Sequence, residues 1–584
     1  MPRARLVLLC LGGLIAVMLL WVLALAGTRT VGTPSDGTAP QRPNVLLISL
    51  DTVRPDHLGC YGYGRNTSPN LDSFAKQCAL FTDAYAQAPW TLPSHMSLFT
   101  SMLPSHNRVE DLGQKLSDDI PTLAQIMRKH GYATAALVNN GQMRAHWGFD
   151  RGFDLWREYE VDTPEGTCEN VTSEALKWFE SAPRQPFFLF LHYYDPHDPY
   201  SPPERYREAF GSSLSGAEAR QVVWHARYPG EEIDDPKLMQ QVIGSYDGEI
   251  AWLDSELGKI FNALPPNTLV VVFSDHGEAF EEHGWTTHGA TLYEEEVRVA
   301  LMLRPPAEAS WPAEIHTAVM LLDVAPTILS LCGAEPPLHY EGRDLSPLLE
   351  GKTLPERPIL AETKRVLEGR VLKMVMHHPW KLIYSVLDGG RELYKLPDEE
   401  VAVPEQDVEE AGKLLEAVRE WLSEEDFWVV YAKGSGSFEA TLTLQDGGFS
   451  VVIPVGIDPD RDGLTPSRDG REIHWLVYPG GQTKALVFEL APRDARVSFD
   501  FKVAGERRKD MVFVGAGLSP LELPFEFKEE DLIRSPIIEK AFEPGQDGFH
   551  LTHYRGLGAS ARSATGIRLD ARTIEQLRSL GYLE

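Results

Sequence analysis

The sequence predicts an α/β protein: a doubly wound, mostly parallel sheet, a small C-terminal subdomain and an appended β-sandwich-like module. Three observations predict it. Val45-Leu46-Leu47-Ile48 and Leu269-Val270-Val271-Val272-Phe273 are apolar without alternation, as strands covered on both faces are. Strand and helix patterns alternate from Asn44 to about Tyr394, as crossover connections between parallel strands require. From about Asp426 the texture changes to alternating apolar and polar positions with hairpin signals such as Asp446-Gly447, which reads as antiparallel β structure.

Taken in order, the chain opens with Arg3 and Arg5 and then 21 uncharged, mostly apolar residues from Leu6 to Ala26. Residues 1–26 are either a signal peptide cleaved after Ala24-Leu25-Ala26 or a signal anchor long enough for about 30 Å of hydrocarbon. Basic residues ahead of the span keep the N-terminus cytoplasmic and export the rest. The expected location is therefore extracytoplasmic, membrane-anchored through this segment or secreted or periplasmic after cleavage. Cys10 lacks the small preceding residue of a lipoprotein cysteine. Residues 27–43, rich in Thr, Gly and Pro, form a linker.

Residues 44–345 form the main body. Its further strands are Ala133–Val138, Phe187–Leu191 and Val299–Leu303, and its helices are Pro121–His130, Leu238–Phe261 and Asp323–Leu331. The subdomain spans 346–425, with Trp380–Tyr384 as a strand and Val408–Glu424 as an amphipathic helix. The β-rich module spans 426–564 and includes Phe438–Leu444, Ala485–Leu490 and Arg496–Val503 as strands. Residues 565–584 hold a C-terminal helix from Leu569 on.

Composition narrows the function. A chain of 584 residues with 43% hydrophobic residues has material for two or three sizeable cores. Its 55 basic and 85 acidic residues give a net charge of −30, which argues against nucleic acid as a partner. Five cysteines without CxxC spacing suggest no disulfide framework. Cys60 and Cys78 could pair, but a buried free thiol fits the composition better.

The chemistry gathers at the strand ends, where open α/β sheets place their ligands. Asp51 follows the first apolar run, and Asp275 with His276 follows the second. Between them lies Pro89-Trp90-Thr91-Leu92-Pro93-Ser94-His95, which places Thr91 at a helix N-terminus where a hydroxyl and an anion meet open backbone N–H groups. Singly, each aspartate could be a turn former and Thr91 only a helix cap. Together, Asp51, Thr91, Asp275 and His276 supply the mixed oxygen and nitrogen donors that suit calcium, zinc or manganese. A metal beside Thr91 would lower its hydroxyl pKa and make it a nucleophile.

At these residues the chain resembles the sulfatase family of the alkaline phosphatase superfamily. The resemblance covers about Asn44 to Leu396 and rests on Asn44–Asp51, Gly59-Cys60-Tyr61-Gly62, Ser68–Asp72, Ser274-Asp275-His276-Gly277-Glu278, Thr291–Glu295, Asp323–Thr327 and Glu392-Leu393-Tyr394. It implies hydrolysis of sulfate or phosphate esters at a divalent metal. The substrate would be a sulfated or phosphorylated small molecule, glycan or lipid headgroup. The tail Leu577–Tyr582 resembles the close of many bacterial sulfatase-like chains.

Departures from the family pattern matter as much. Where sulfatases carry Cys-x-Pro-Ser-Arg, whose cysteine becomes formylglycine, this chain has Thr91-Leu92-Pro93-Ser94-His95, so no formylglycine is expected. The usual arginine is His95, an expected lysine is His288, and the Gly-Lys-x-His motif is replaced near Val138–Gln142. Three fixed positive charges are therefore missing, yet a transferred sulfuryl or phosphoryl group needs positive charge around its oxygens. A second metal on Asp195, His197 and His288 would supply it. Otherwise His197 donates to the bound anion, the role the resemblance implies. His95, His197 and His288 are thus candidates to orient the anion or protonate the leaving group. His192, at the end of an apolar run, reads as a structural histidine and His283 as a loop residue. In the β module, Asp458, Asp460, Asp462 and Asp469 have calcium-loop spacing, against the alternative of a solvated acidic turn. Two rival functions remain: a phosphoryl or phosphoethanolamine-type transferase, and a catalytically silent sulfatase-like binding protein.

Overall fold

The computed structural model describes residues 42–555 apart from internal segments, the longest being 160–166, 227–232, 456–460, 492–496, 515–532 and 535–547. The apolar stretch Leu6–Ala26 and the tail helix from Leu569 lie outside the described residues. No helix among the described residues is long and apolar enough to cross a membrane.

The central sheet is built from β1 (Asn44–Leu50), β2 (Ala79–Tyr85), β3 (Ala133–Val138), β4 (Leu155–Glu158), β5 (Phe187–Tyr193), β6 (Thr268–Ser274), β7 (Arg298–Arg304), β8 (Glu314–Ile315) and β9 (Val319–Met320). Its order is β8-β2-β7-β6-β1-β5-β3-β4, with β9 also on β2. β1 lies parallel between β5 and β6, in the middle of the sheet. β7 is the exception to the parallel reading, running antiparallel to both β2 and β6. Every residue of β1 and β6 is buried. Successive side chains point to opposite faces, so Val45 and Leu47 join one core and Leu46, Ile48 and Leu50 the other. That double coverage is why both runs read as continuous hydrophobe.

Six helices bear on the site and on the domain order: α1 (Thr91–Thr100), α2 (Leu123–Lys129), α3 (Cys168–Glu180), α4 (Pro236–Asn262), α5 (Val324–Leu331) and α6 (Glu409–Leu422). α2 starts two residues later than its pattern suggests, because Thr122 and Gln125 close a capping box there. α4 begins at Pro236 with Asp235 accepting from the Lys237 amide, the proline filling a position that needs no N–H donor. α1 is buried at every residue, wedged between the sheet and α5.

The subdomain is a four-stranded antiparallel sheet of β10 (Ile359–Arg365), β11 (Arg370–His377), β12 (Trp380–Ser385) and β13 (Arg391–Lys395), covered by α6. Lys381, fully buried on β12, reaches Glu294 and Glu399 at 2.9 and 2.8 Å, which pairs a charge that could not otherwise be buried. From Asp426 the chain forms a six-stranded and a five-stranded sheet. Trp428, Phe488 and Phe549 of the first pack with Phe438, Trp475 and Phe501 of the second, a sandwich core as the alternation predicts.

One expectation is corrected here. In the described part of the expected calcium loop, Gly463–Pro466 is a strand paired with Glu472–Val477, and an extended strand carries Asp462 away from Asp469 rather than wrapping both around one ion. Asp462 accepts from the Tyr478 amide at 2.8 Å and pairs with Lys484, while Asp469 accepts from Ser467 and the Arg471 amide in the hairpin turn. Asp458 and Asp460 lie outside the described residues. The cysteines described, Cys60, Cys78, Cys168 and Cys332, are all free thiols, and burial pushes Cys60 up to about 12.

Candidate active site

The carboxyl ends of β1 and β6 carry Asp51 and Asp275, both completely buried. The chain turns sharply after each strand; Thr52 adopts a left-handed φ of 58°, and its amide donates to Asp275 Oδ1 at 3.3 Å. The His276 amide holds the same oxygen at 3.0 Å. With Oδ1 fixed by two backbone donors, Oδ2 is left without a hydrogen bond. It lies 3.3 Å from His276 Nε2 and 3.4 Å from His95 Nδ1.

His276 donates Nδ1–H to the Gly277 carbonyl at 2.9 Å, a contact that fixes the tautomer with Nε2 as the lone-pair nitrogen. That nitrogen lies 3.6 Å from Asp51 Oδ1. Burial, with His288 nearby, holds His276 well below the ordinary imidazole range, so it is neutral, the form that ligates metals. Burial and the charge of Asp51 push Asp275 well up. Against burial, the imidazoles of His192, His197 and His276 hold Asp51 well below the usual carboxylate range. Two carboxylates repelling each other beside a neutral imidazole are a donor set that a divalent cation would satisfy. Donor atoms of Asp51, Asp275 and His276 lie within 4.8 Å of one another, a span over which one ion can draw them together.

Thr91 is the first residue of α1, after Trp90 in extended conformation. It is therefore not the helix cap, and Oγ1 stands 3.3 Å from His276 Nε2. Ser94 Oγ donates to the Asp275 carbonyl at 2.6 Å, pinning the helix start to the loop that carries the donors.

His95 is not aimed at an anion, contrary to expectation. Four residues on from Thr91, it falls on the helix face turned to the sheet, fully buried, with Nε2 on Ser49 Oγ at 2.8 Å and Nδ1 on the Thr91 carbonyl at 2.9 Å. Burial keeps it well below the usual imidazole range.

His197 and His288 do line the site. Their rings are 4.8 Å apart, and that of His288 is 4.4 Å from His276. His197 Nδ1 lies 3.0 Å from Asp198 Oδ1, and His288 Nδ1 3.0 Å from Glu278 Oε1. Although burial opposes it, Asp198, Asp51 and Glu278 raise His197 to about 10, so it is a cation at neutral pH. Burial pushes Glu278 up to about 8, against the pull of His197.

The expected second metal set of Asp195, His197 and His288 is not assembled. Asp195 turns away to accept from the Cys168 amide at 2.8 Å, at the first turn of α3, where a carboxylate meets open N–H groups. Burial raises it to about 6. Sequence reasoning passed over Asp198 and Glu278 and read His192 as structural only. Asp198 directly follows His197, and Glu278 closes the motif that begins at Ser274; His192 escaped because β5 runs two residues further than its apolar run. His283 is not a solvated loop residue: it stacks on Tyr293 with ring centroids 3.7 Å apart and bonds Glu295 at 2.7 Å.

Residues 43–334 match the family model described as Sulfatase, half of the chain, and the chain belongs to the sulfatase family. Among its relatives, the uncharacterized sulfatase YidJ of Escherichia coli (strain K12) is 23% identical over 356 residues, covering 52% of this chain and 71% of the relative. Iduronate 2-sulfatase of Mus musculus is 26% identical over 426 residues, covering 56% and 77%. The phosphonate monoester hydrolase of Agrobacterium radiobacter shares the fold, with a TM-score of 0.55 and 22% identity over 65% of this chain and 95% of that one. The protein is thus a sulfatase-family ester hydrolase, on an α/β fold with a mixed, largely parallel central sheet.

Proposed function

We propose that this hydrolase is metal-dependent and uses Thr91 as its nucleophile. One observation carries the reading: Thr91 Oγ1 stands at 3.3 Å from the lone-pair nitrogen of His276, at the open end of α1. The donor set fits a divalent ion, since Asp275 Oδ2 is buried without a hydrogen bond beside that same nitrogen. Asp51, Asp275, His276 and Thr91 would hold it. A bound calcium, zinc or manganese ion supplies Lewis acidity and a lowered hydroxyl pKa at this position.

The chain's own residues do the rest. Thr91 Oγ1 gives up its proton to solvent water and bonds to the phosphorus or sulfur of the ester, and the bond to the leaving oxygen breaks. His197, charged at neutral pH, offers a proton to that oxygen and a counter-charge to the anion, with His288 beside it. Water then attacks the threonine ester, restoring the Thr91 hydroxyl and releasing inorganic phosphate or sulfate. The open amides of α1 face the anion throughout.

For the substrate, the reading is an anionic ester on a small molecule, glycan or lipid headgroup. Relationship to an iduronate 2-sulfatase favours a sugar, and likeness of fold to a phosphonate monoester hydrolase favours phosphorus as an alternative centre. We place the enzyme outside the cytoplasm, exported and held at or released from the membrane by Leu6–Ala26; fractionation of cells expressing the full chain tests this.

Purified protein assayed on paired aryl sulfate, phosphate monoester and phosphodiester substrates, with and without chelator, tests the function. Turnover of one ester that chelator abolishes and added metal restores is expected. Asp275→Asn should lose metal and rate together, and unchanged metal content in that variant would refute the placement of the ion.

A further inference from the structure

A second group of donors adjoins Asp275 and has no part in the proposed hydrolysis. His192 sits inside β5, opposite Ser49 of β1 and Val138 of β3 in the sheet register. By the two-residue period of a strand it shares a face with Phe188 and Phe190, which pack in the core beneath α1. That position calls for a hydrophobe. The chain instead places there a fully buried imidazole whose Nδ1 has no hydrogen-bond partner and whose Nε2 has only a long contact to Asp51. A buried polar group left unmade is costly and calls for an explanation.

Its surroundings supply one. His192 Nε2 is 3.4 Å from Asp51 Oδ2, and the His192 and His95 rings meet at 5.0 Å, edge to face. Donor atoms of His95, His192 and Asp275 lie within 4.8 Å of one another, all buried. Asp275 belongs to both this group and the one formed with Asp51 and His276. Asp51 also spans the two, Oδ1 toward His276 and Oδ2 toward His192.

We propose that the protein binds a second divalent cation through His192, His95 and Asp275, giving a dinuclear centre in which Asp275 is common to both ions. The inference deepens the metal-dependent reading of the same site. Loading it requires one exchange: His95 Nδ1, now on the Thr91 carbonyl at 2.9 Å and 3.4 Å from Asp275 Oδ2, gives up the carbonyl for the ion, while Ser49 keeps hold of Nε2. Two imidazoles and one carboxylate select zinc or manganese over calcium, which favours oxygen donors throughout. The second charge also answers a need. Two buried carboxylates cancel one dication, and a second dication leaves the centre positive toward a phosphate or sulfate dianion.

The test counts ions. Full-length protein stripped with chelator, reloaded with zinc or manganese and desalted should hold two equivalents by plasma mass spectrometry. His192→Leu, which fits the apolar strand face, should hold one. Equal metal content in wild type and variant, or one equivalent in the wild type, overturns the proposal. Should the variant fail to fold, anomalous scattering from wild-type crystals grown with zinc decides: two peaks, one between His192 and Asp275, support the second site, and a single peak overturns it. One equivalent with metal-dependent turnover removes only this second ion, whereas none bound and turnover indifferent to chelator removes the proposed function as well.

Discussion

Thr91 Oγ1 lies 3.3 Å from His276 Nε2, and that nitrogen is the ring's lone-pair position because Nδ1 is committed to the Gly277 carbonyl. The two residues are separated by 185 positions in sequence and meet because β6 and α1 converge at the carboxyl end of the sheet. A hydroxyl so placed is the nucleophile we propose, and it needs no aldehyde. Thr91→Ala should therefore lower kcat by about a thousandfold or more, as loss of a covalent nucleophile does, while metal content persists on Asp51, Asp275 and His276. Thr91→Ser should retain measurable turnover. Mass spectrometry of the peptide holding Thr91 should find the residue unmodified, and full activity in the alanine variant would dispose of the nucleophile assignment.

The nucleophile also predicts an order of substrates. A formylglycine hydrate sheds sulfate by elimination, a route closed to threonine, so release must come by attack of water at the central atom. Phosphorus accepts that attack more readily than sulfur. kcat/KM should consequently be higher on an aryl phosphate, as monoester or diester, than on the matched aryl sulfate in the same metal. The reverse order would overturn the argument.

Gly277 sets the approach of the donor loop to the segment Glu294–Val297. A Cβ there would stand 1.9 Å from the Glu295 carbonyl oxygen, and that carbonyl accepts from the Glu278 amide at 2.9 Å. Backbone must move to admit a methyl group, so Gly277→Ala should cost about 1–3 kcal/mol of stability and weaken metal retention at the adjacent His276. Thermal melting and metal analysis of the same preparation would measure both; an unchanged Tm would refute the close-packing account.

Stability should depend on pH through His283. Burial works against its charge, but Glu295 and the Glu399 carbonyl raise it from 6.5 to about 9. A histidine whose folded-state pKa is raised contributes stability fully below the unfolded value and loses it as pH climbs through the folded one. The contribution is therefore complete below about pH 6.5 and gone above about pH 9. Tm should fall across that window in the wild type and fall less in His283→Gln. Parallel melting curves for the two proteins would exclude the pair.

Legibility in the amino-acid sequence is uneven across the molecule. The strand ends are readable because a centrally placed strand, buried on both faces, is an unbroken apolar run whose polar successor must sit at the sheet's edge; Asp51, Asp275 and His276 follow directly. The β sandwich is readable for the converse reason, since one buried face per strand leaves alternation. Asp195 misleads because a carboxylate near a site can equally well satisfy a helix N-terminus, and nothing local says that α3 begins within its reach. The spacing of the aspartates at 458–469 matches a loop, but hairpin pairing with Glu472–Val477 makes Gly463–Pro466 straight.

The sequence by itself determined the family, the sheet, the three residues at the ends of β1 and β6 that we propose hold a metal, and a hydroxyl where an aldehyde precursor is usual, because periodicity and residue chemistry are local properties. Only the tertiary structure decided which way the histidines face. His95 turns under the helix toward Ser49, His192 extends β5 into the core beside Asp51, and His197 with His288 opens onto the site. A ring's direction follows from which strands become neighbours and how a helix rolls against them, and those contacts join residues far apart in the chain.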